Sequence, residues 1–380
     1  MKEGFKKAMK NGLKKWRFLP LVAAMAFILS GCGEPFLSTL QPAGEVAQKQ
    51  FNLMILSVVI MVLVIIVVAI VYVIAVTKFR RSKLGEDFIP KQVEGSHRLE
   101  VIWTVIPIIL LLILAVPTVA LTFELGDTSG MEVEDEDGNR EALVVDVRAN
   151  LYWWEFSYPD QGIVTAQDLV VPTDQNVYFN VIASDVKHSF WIPAVGGKID
   201  TNVDNMNTFY LNFDGEKAAE ANNLFYGKCA ELCGPSHALM DFKVQTMSQE
   251  DFDGWVASMQ EAGEAEGDPE FENETIARGY EVFSDNQNGC IGCHAINPTQ
   301  QIGTSQGPNL TTFGERSYTA GILDNEDSEE VQAENIKNWI RNADALKPGN
   351  TMGAYNEDDI SDEDLDALTE FLMSLKVYSE

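Results

Sequence analysis

The 380 residues include only five cysteines and four histidines, so nearly every one can be asked what chemistry it serves. One group lies in Cys229-Ala-Glu-Leu-Cys233-Gly-Pro-Ser-His237-Ala-Leu-Met240, with His188 upstream. Two thiolates, two imidazoles and a thioether form a soft, mixed nitrogen and sulfur set that suits copper. A disulfide between Cys229 and Cys233, or a Cys/Cys/His/His zinc site, would use the same residues but leave Met240 idle. A second group, Cys290-Ile-Gly-Cys293-His294, has the spacing for covalent haem attachment. There, two thiols form thioether bonds and the histidine is an axial iron ligand. A zinc or redox pair is the other reading of that spacing.

The segments before these groups place them outside a membrane. Lys2 to Arg17 is rich in Lys and Arg, an apolar run follows from Phe18 to Leu29, and Leu29-Ser30-Gly31-Cys32 closes it. A basic start, a short apolar stretch and small residues describe an export signal. The final four match a lipoprotein cleavage site, so residues 1–31 are expected to be removed and Cys32 to carry a lipid. Leu53 to Val76 and Val101 to Phe123 contain no charged residue and are each long enough to span a bilayer. The loop between them holds Lys78, Arg80, Arg81, Lys83, Lys91 and Arg98, whereas Glu124, Asp127 and Glu132 follow the second. The positive-inside rule puts that loop in the cytoplasm and everything after residue 124 outside, for a multi-pass chain in a bacterial plasma membrane.

The exposed part divides in two. From Ala142 to about Met247, Leu143, Val145 and Val147 alternate with other residues, as do Val177, Phe179 and Val181, with Pro159, Pro172 and Gly196-Gly197 as punctuation. That pattern predicts an all-β sandwich or barrel over 125–254. A polar stretch from 255 to 273 predicts a linker. Beyond it Ile276, Tyr280 and Phe283 share a helical face, as do Ile336, Trp339 and Ile340. Ser361 and Asp364 form a capping box ahead of Leu365, Leu368, Leu372 and Leu375, so 274–380 is expected to be all-α. The balance of 57 acidic to 27 basic residues excludes nucleic acid as a partner.

Three separated motifs resemble subunit II of haem-copper cytochrome c oxidases over roughly residues 45 to 250. They are the Cys229 to Met240 loop, Asp185-Val-Lys-His188-Ser-Phe-Trp-Ile-Pro193, and Glu100-Val-Ile-Trp-Thr-Val-Ile-Pro107. The resemblance implies a cupredoxin β-barrel holding a dinuclear copper centre, the CuA type. Cys229 and Cys233 would bridge two copper ions, His188 and His237 would each cap one, Met240 would be a weak ligand, and Glu231 would supply its backbone carbonyl. It further implies that the Glu231 carboxylate reaches a magnesium ion at the subunit I boundary, and that Glu100 stands at the mouth of a proton path. Where the family often shows Trp-x-Trp, this chain has Leu151-Tyr152-Trp153-Trp154, which puts Tyr152 and Trp153 where electrons come in.

Residues 274 to 378 are similar to class I cytochromes c. Gly307-Pro308-Asn309-Leu310 resembles the loop that supports the proximal His294, and Lys347-Pro-Gly-Asn-Thr-Met352 the loop that carries the second axial ligand, Met352. Gly353 follows where that family usually has Pro, and Met373 lies among the inner leucines of the last helix. Gly279, Phe283 and Phe371 fall where the terminal helices of the family cross.

The combination implies the subunit II of a caa-type oxidase: a multidomain membrane protein with a two-helix transmembrane hairpin, a cupredoxin barrel and a cytochrome c domain. Electrons would pass from cytochrome c to the haem c, then to copper, then to a haem in subunit I, where dioxygen is reduced to water and protons are pumped. A nitrous oxide reductase shares the copper motif but needs a His-rich catalytic domain. A copper storage lipoprotein would not need the haem motif. A quinol oxidase subunit II lacks the copper ligands.

Overall fold

The computed structural model describes residues 37–85, 88–89, 91–264, 271–285, 289–299, 306–325 and 328–378. The export signal and Cys32 lie outside the described residues.

Helices α1 (Glu45–Lys78) and α2 (His97–Leu125) are the two apolar segments, long enough to cross a membrane and unburied along their apolar windows. They form a hairpin whose basic loop is at one end and whose other end is fastened to the β domain. Lys49 on α1 bridges Glu45 and, at the far end of α2, Glu124. Ala43, Val46 and Ala47 are buried there, and the Ala43 and Ala47 amides donate to the Ala194 and Val195 carbonyls at 2.7 and 3.1 Å. Glu100 and His97 stand at the opposite end, exposed and 3.8 Å apart.

Ten strands build the β domain as two five-stranded sheets: β1 (Leu143–Asn150), β2 (Trp153–Tyr158), β3 (Ile163–Ala166), β4 (Asp168–Pro172), β5 (Asn176–Ala183), β6 (His188–Trp191), β7 (Ile199–Thr201), β8 (Asn207–Asn212), β9 (Leu224–Cys229) and β10 (Asp241–Met247). The orders are β3-β2-β1-β5-β8 and β4-β10-β9-β6-β7, with β1–β5 and β4–β10 parallel. Alternation along β1 and β5 sends Val145, Val147, Val177, Phe179 and Val181 into the space between the sheets. Phe190 stacks on Phe242 at 4.8 Å and packs on Trp154 at 5.7 Å, so the copper-type motifs on β6 and β9 rest on a rigid aromatic core.

The boundary expected at residue 255 falls inside a helix, α3 (Gln249–Glu264). Phe252, Trp255 and Met259 are buried against the sandwich, with Trp255 packed on Tyr158 at 5.2 Å. Phe252, Trp255 and Met259 form one apolar face at helical spacing among polar neighbours, so residues 255–264 are helix where a linker was expected.

The helical domain comprises α4 (Glu274–Ser284), a single turn at Cys290–Cys293, α5 (Glu329–Leu346) and α6 (Asp362–Ser374), with a small hairpin β11 (Tyr318–Thr319) and β12 (Leu323–Asp324). Ser361 caps α6 by accepting from the Asp364 amide at 3.1 Å, an arrangement that contributes about 1 kcal/mol. Helices α4 and α6 cross at Gly279, where a Cβ would lie 2.1 Å from the Ala367 carbonyl oxygen, so only glycine lets the backbones meet. Phe283 and Phe371 pack beside the crossing at 5.6 Å.

Candidate metal and haem centres

The end of β6 and the loop after β9 bring the first ligand group together. Cys229 Sγ lies 3.9 Å from Cys233 Sγ and 3.9 Å from His188 Nδ1; Cys233 Sγ lies 3.7 Å from His237 Nδ1 and 3.9 Å from Met240 Sδ. The Glu231 carbonyl oxygen is 3.3 Å from Cys229 Sγ. A disulfide needs sulfurs about 2.05 Å apart, and both cysteines are free. A lone zinc would take four of these donors, but here two sulfurs sit centrally, each with its own imidazole, and a thioether completes the set. The arrangement fits copper.

Neighbouring residues fix those donors. Asp185 Oδ1 is 2.8 Å from His188 Nε2, so the ring turns Nδ1 toward the sulfurs. The same carboxylate accepts from the Val186 and Leu151 amides; burial works against its charge, yet these bonds hold it below the usual carboxylate range. Trp154, fully buried, donates from Nε1 to the Met240 carbonyl at 3.3 Å and packs edge-on to His188. The hydrogen bond from the Cys233 thiol pushes Cys229 down to about 3, and Cys233 is correspondingly raised. The roles of Asp185 and Trp154 were not assigned from sequence; an Asp three residues before a ligand histidine was the available signal.

The Glu231 carboxylate lies 3.5 Å from Lys198 Nζ, which also bonds Asp200 at 2.9 Å.

The second group lines one cavity in the helical domain. Cys290, Cys293, His294 and Met352 all face it, and its apolar wall includes Phe283, Leu310, Trp339 and Leu372. His294 Nδ1 donates to the Pro308 carbonyl at 2.8 Å, which leaves Nε2 free to ligate iron. Burial lowers the pKa of this ring, as a neutral ligand requires. Gly307 permits the approach, since a Cβ there would sit 2.8 Å from His294 Cε1. The donor set and the apolar walls fit a haem c. Met373 packs against the helical core away from the cavity.

Tyr152 and Trp153 also line this cavity, although they belong to the β domain, and both are buried, at 4% and 8% exposure. The Tyr152 hydroxyl lies over Gly234 in the copper-type loop, where a Cβ would come within 2.3 Å, and near Gly349 in the Met352 loop, where a Cβ would lie 3.5 Å from it. The β domain therefore supplies part of the wall of this cavity. Around it the seam is held by Tyr226 and Tyr318, whose hydroxyls are 2.7 Å apart, and by a Ser236 to Pro348 hydrogen bond of 2.8 Å.

Comparison with known proteins agrees with each part. Residues 38–121 match the transmembrane domain of cytochrome c oxidase subunit II, 158–247 its periplasmic domain, and 276–376 cytochrome c. Cytochrome c oxidase subunit 2 of Bacillus sp. (strain PS3) is 56% identical over 97% of this chain and 100% of that one. The subunit 2 of Bacillus subtilis (strain 168) is 52% identical with the same coverage. This chain belongs to the cytochrome c oxidase subunit 2 family. It is an electron-transfer subunit of a membrane-bound oxidase, and its cofactors are copper and haem c. Quinol oxidase subunit 2 of Bacillus spizizenii is 33% identical over 66% of the chain.

Proposed function

We propose that this chain relays electrons from a cytochrome c, through its own haem c and a dinuclear copper centre, to a haem of subunit I, where dioxygen is reduced to water and protons are pumped. Tyr152 carries the reading: one buried ring touches the loop of Cys233 and His237, the loop of Met352 and the haem cavity together. Tyr152 and Trp153 thus bring electrons into the β domain from the haem of the same chain rather than from an exposed docking site.

When bound, the two groups supply one-electron redox chemistry. Everything else is the work of this chain's residues. Cys229 and Cys233 would hold the copper through their thiolates, His188, His237 and Met240 would add one donor each, and Glu231 would add its carbonyl. Asp185 and Trp154 hold these donors in place, which keeps rearrangement small when charge is gained or lost. Cys290 and Cys293 would attach the haem through their thiols, and His294 and Met352 would hold its iron. With both domains outside a bacterial plasma membrane and a lipid on Cys32, the basic loop after Lys78 is cytoplasmic, and Glu100 sits at its end of α2 as a proton-path mouth toward subunit I. The Glu231 carboxylate, 3.5 Å from Lys198 Nζ, would be the group to hold a magnesium ion at the subunit I boundary.

Metal and pyridine-haem analysis of the purified oxidase tests the assignment, with two copper ions and one covalent haem expected in this chain. Replacing Cys233 by Ser should abolish the shared-valence copper signal and leave the haem spectrum intact. Stoichiometric zinc without a near-infrared copper band would overturn the copper half.

A further inference from the structure

The segment that follows α6 turns back across the single turn Phe313–Glu315, and that turn holds it by its backbone. The Gly314 amide donates to the Leu375 carbonyl at 2.8 Å. Glu315 Oε1 accepts from the Val377 and Tyr378 amides, the latter at 2.7 Å. So close a pass needs glycine at 314, where a Cβ would lie 2.2 Å from the Met373 carbonyl oxygen. The turn itself is anchored in the helical domain. Phe313 is buried in that domain's core, and Gln332 of α5 donates to the Gly314 carbonyl at 3.2 Å.

Along this segment the side chains change domains. Leu375 packs against the helical core, whereas Val377 and Tyr378 pack against the hydrophobic core of the β domain. Two apolar side chains thus lodge in the neighbouring domain, and one carboxylate of their own domain fixes the backbone that carries them. Burial pushes the Glu315 carboxyl up and the two amide bonds pull against it, with Asp168 of β4 and Lys376 as nearby charges. A carboxylate withdrawn from water is costly unless donors meet it, and charge-assisted bonds from two successive amides do so.

We propose that residues 375–378 are a clasp, with Glu315 as its catch, that docks the haem-bearing domain on the copper-bearing domain and so positions the two centres for electron transfer. The inference rests on the relay reading of this chain. Opening the seam would part the two centres, so the docked population sets the observed rate of transfer between them. A separate bond reports on that population: the Val164 amide of β3 donates to the Pro298 carbonyl at 2.7 Å across the same two domains.

The test uses the intact oxidase at full haem absorbance and measures two things, hydrogen exchange of the Val164 amide and haem-to-copper transfer after flash reduction of haem c. Glu315→Ala removes the acceptor, Glu315→Gln keeps an acceptor oxygen, and Val377→Ser with Tyr378→Ser removes the lodged side chains. Glu370→Ala, at an exposed position on α6, is the control. Glu315→Ala and the double serine variant should each raise Val164 exchange about tenfold and slow haem-to-copper transfer, with reduction of haem c by cytochrome c unchanged. Glu315→Gln and Glu370→Ala should stay with the unmodified protein. A lowered unfolding midpoint in Glu315→Ala without any change in exchange or internal transfer would make the contact a stabiliser of the helical domain only and overturn the clasp. Equal losses in Glu315→Ala and Glu315→Gln would also overturn it. Absence of haem-to-copper transfer from the unmodified oxidase would instead take down the relay reading and this inference with it.

Discussion

The Ser236 hydroxyl donates a 2.8 Å hydrogen bond to the Pro348 carbonyl, tying the residue beside His237 to the loop that carries Met352. Ser236 is fully buried, so this bond is shielded from water. It couples the two ligand loops directly. Removing the hydroxyl leaves a buried carbonyl unmet, a cost of about 1 to 3 kcal/mol. Ser236→Ala should therefore lower the thermal unfolding midpoint and slow haem-to-copper electron transfer after flash reduction, with both absorption spectra retained. An unaltered internal transfer rate would show that the bond has no part in positioning the loops.

Asp185 orients His188 and is tied through the Leu151 amide to the segment bearing Tyr152. Asp185→Asn weakens the hold on the ring without emptying the space. Copper affinity should fall about 10- to 100-fold, as measured by chelator competition, while the haem spectrum is unchanged.

Met352 lines the haem cavity and Met373 does not. Met352→Ala is expected to abolish the thioether-to-iron charge-transfer band, and Met373→Ala to retain it at some loss of stability. The opposite pattern in a folded domain would reassign the sixth ligand.

Residues 268–380 hold 23 acidic and 6 basic side chains. The structure makes the surface more one-sided than that, because Arg316 and Lys347 are buried. Arg278, Lys337 and Arg341 are paired with Asp364, Asp366 and Asp362. Such a surface should steer a basic cytochrome c toward the haem edge, and the attraction is screened beyond about 10 Å at 0.1 M salt. Stopped-flow reduction of the oxidase's haem c should show a second-order rate constant that falls as ionic strength rises. A constant rate would leave the acidic surface as a solvating one.

Much of this protein was legible in its sequence because the informative signals are local. Charge-free apolar runs mark the middle of α1 and α2, alternation along Leu143 to Val147 and Val177 to Val181 marks the buried strands, and the candidate ligands Cys229, Cys233, His237 and Met240 lie within one loop. Attachment chemistry at Cys290, Cys293 and His294 is likewise a matter of spacing along the chain. What depends on contacts between distant segments was decided only by the tertiary structure. The helix through Trp255 and Met259 was masked by polar neighbours, and its apolar face is visible as such only against the sandwich that covers it. The seam is the clearest case: Tyr152, Ser236, Arg316 and Lys347 come from four separate stretches, and nothing in the residues around each states what it will meet. A tyrosine reads as packing and a lysine as solvated surface until the fold buries both in the wall of one cavity, because burial is set by segments far away in the chain.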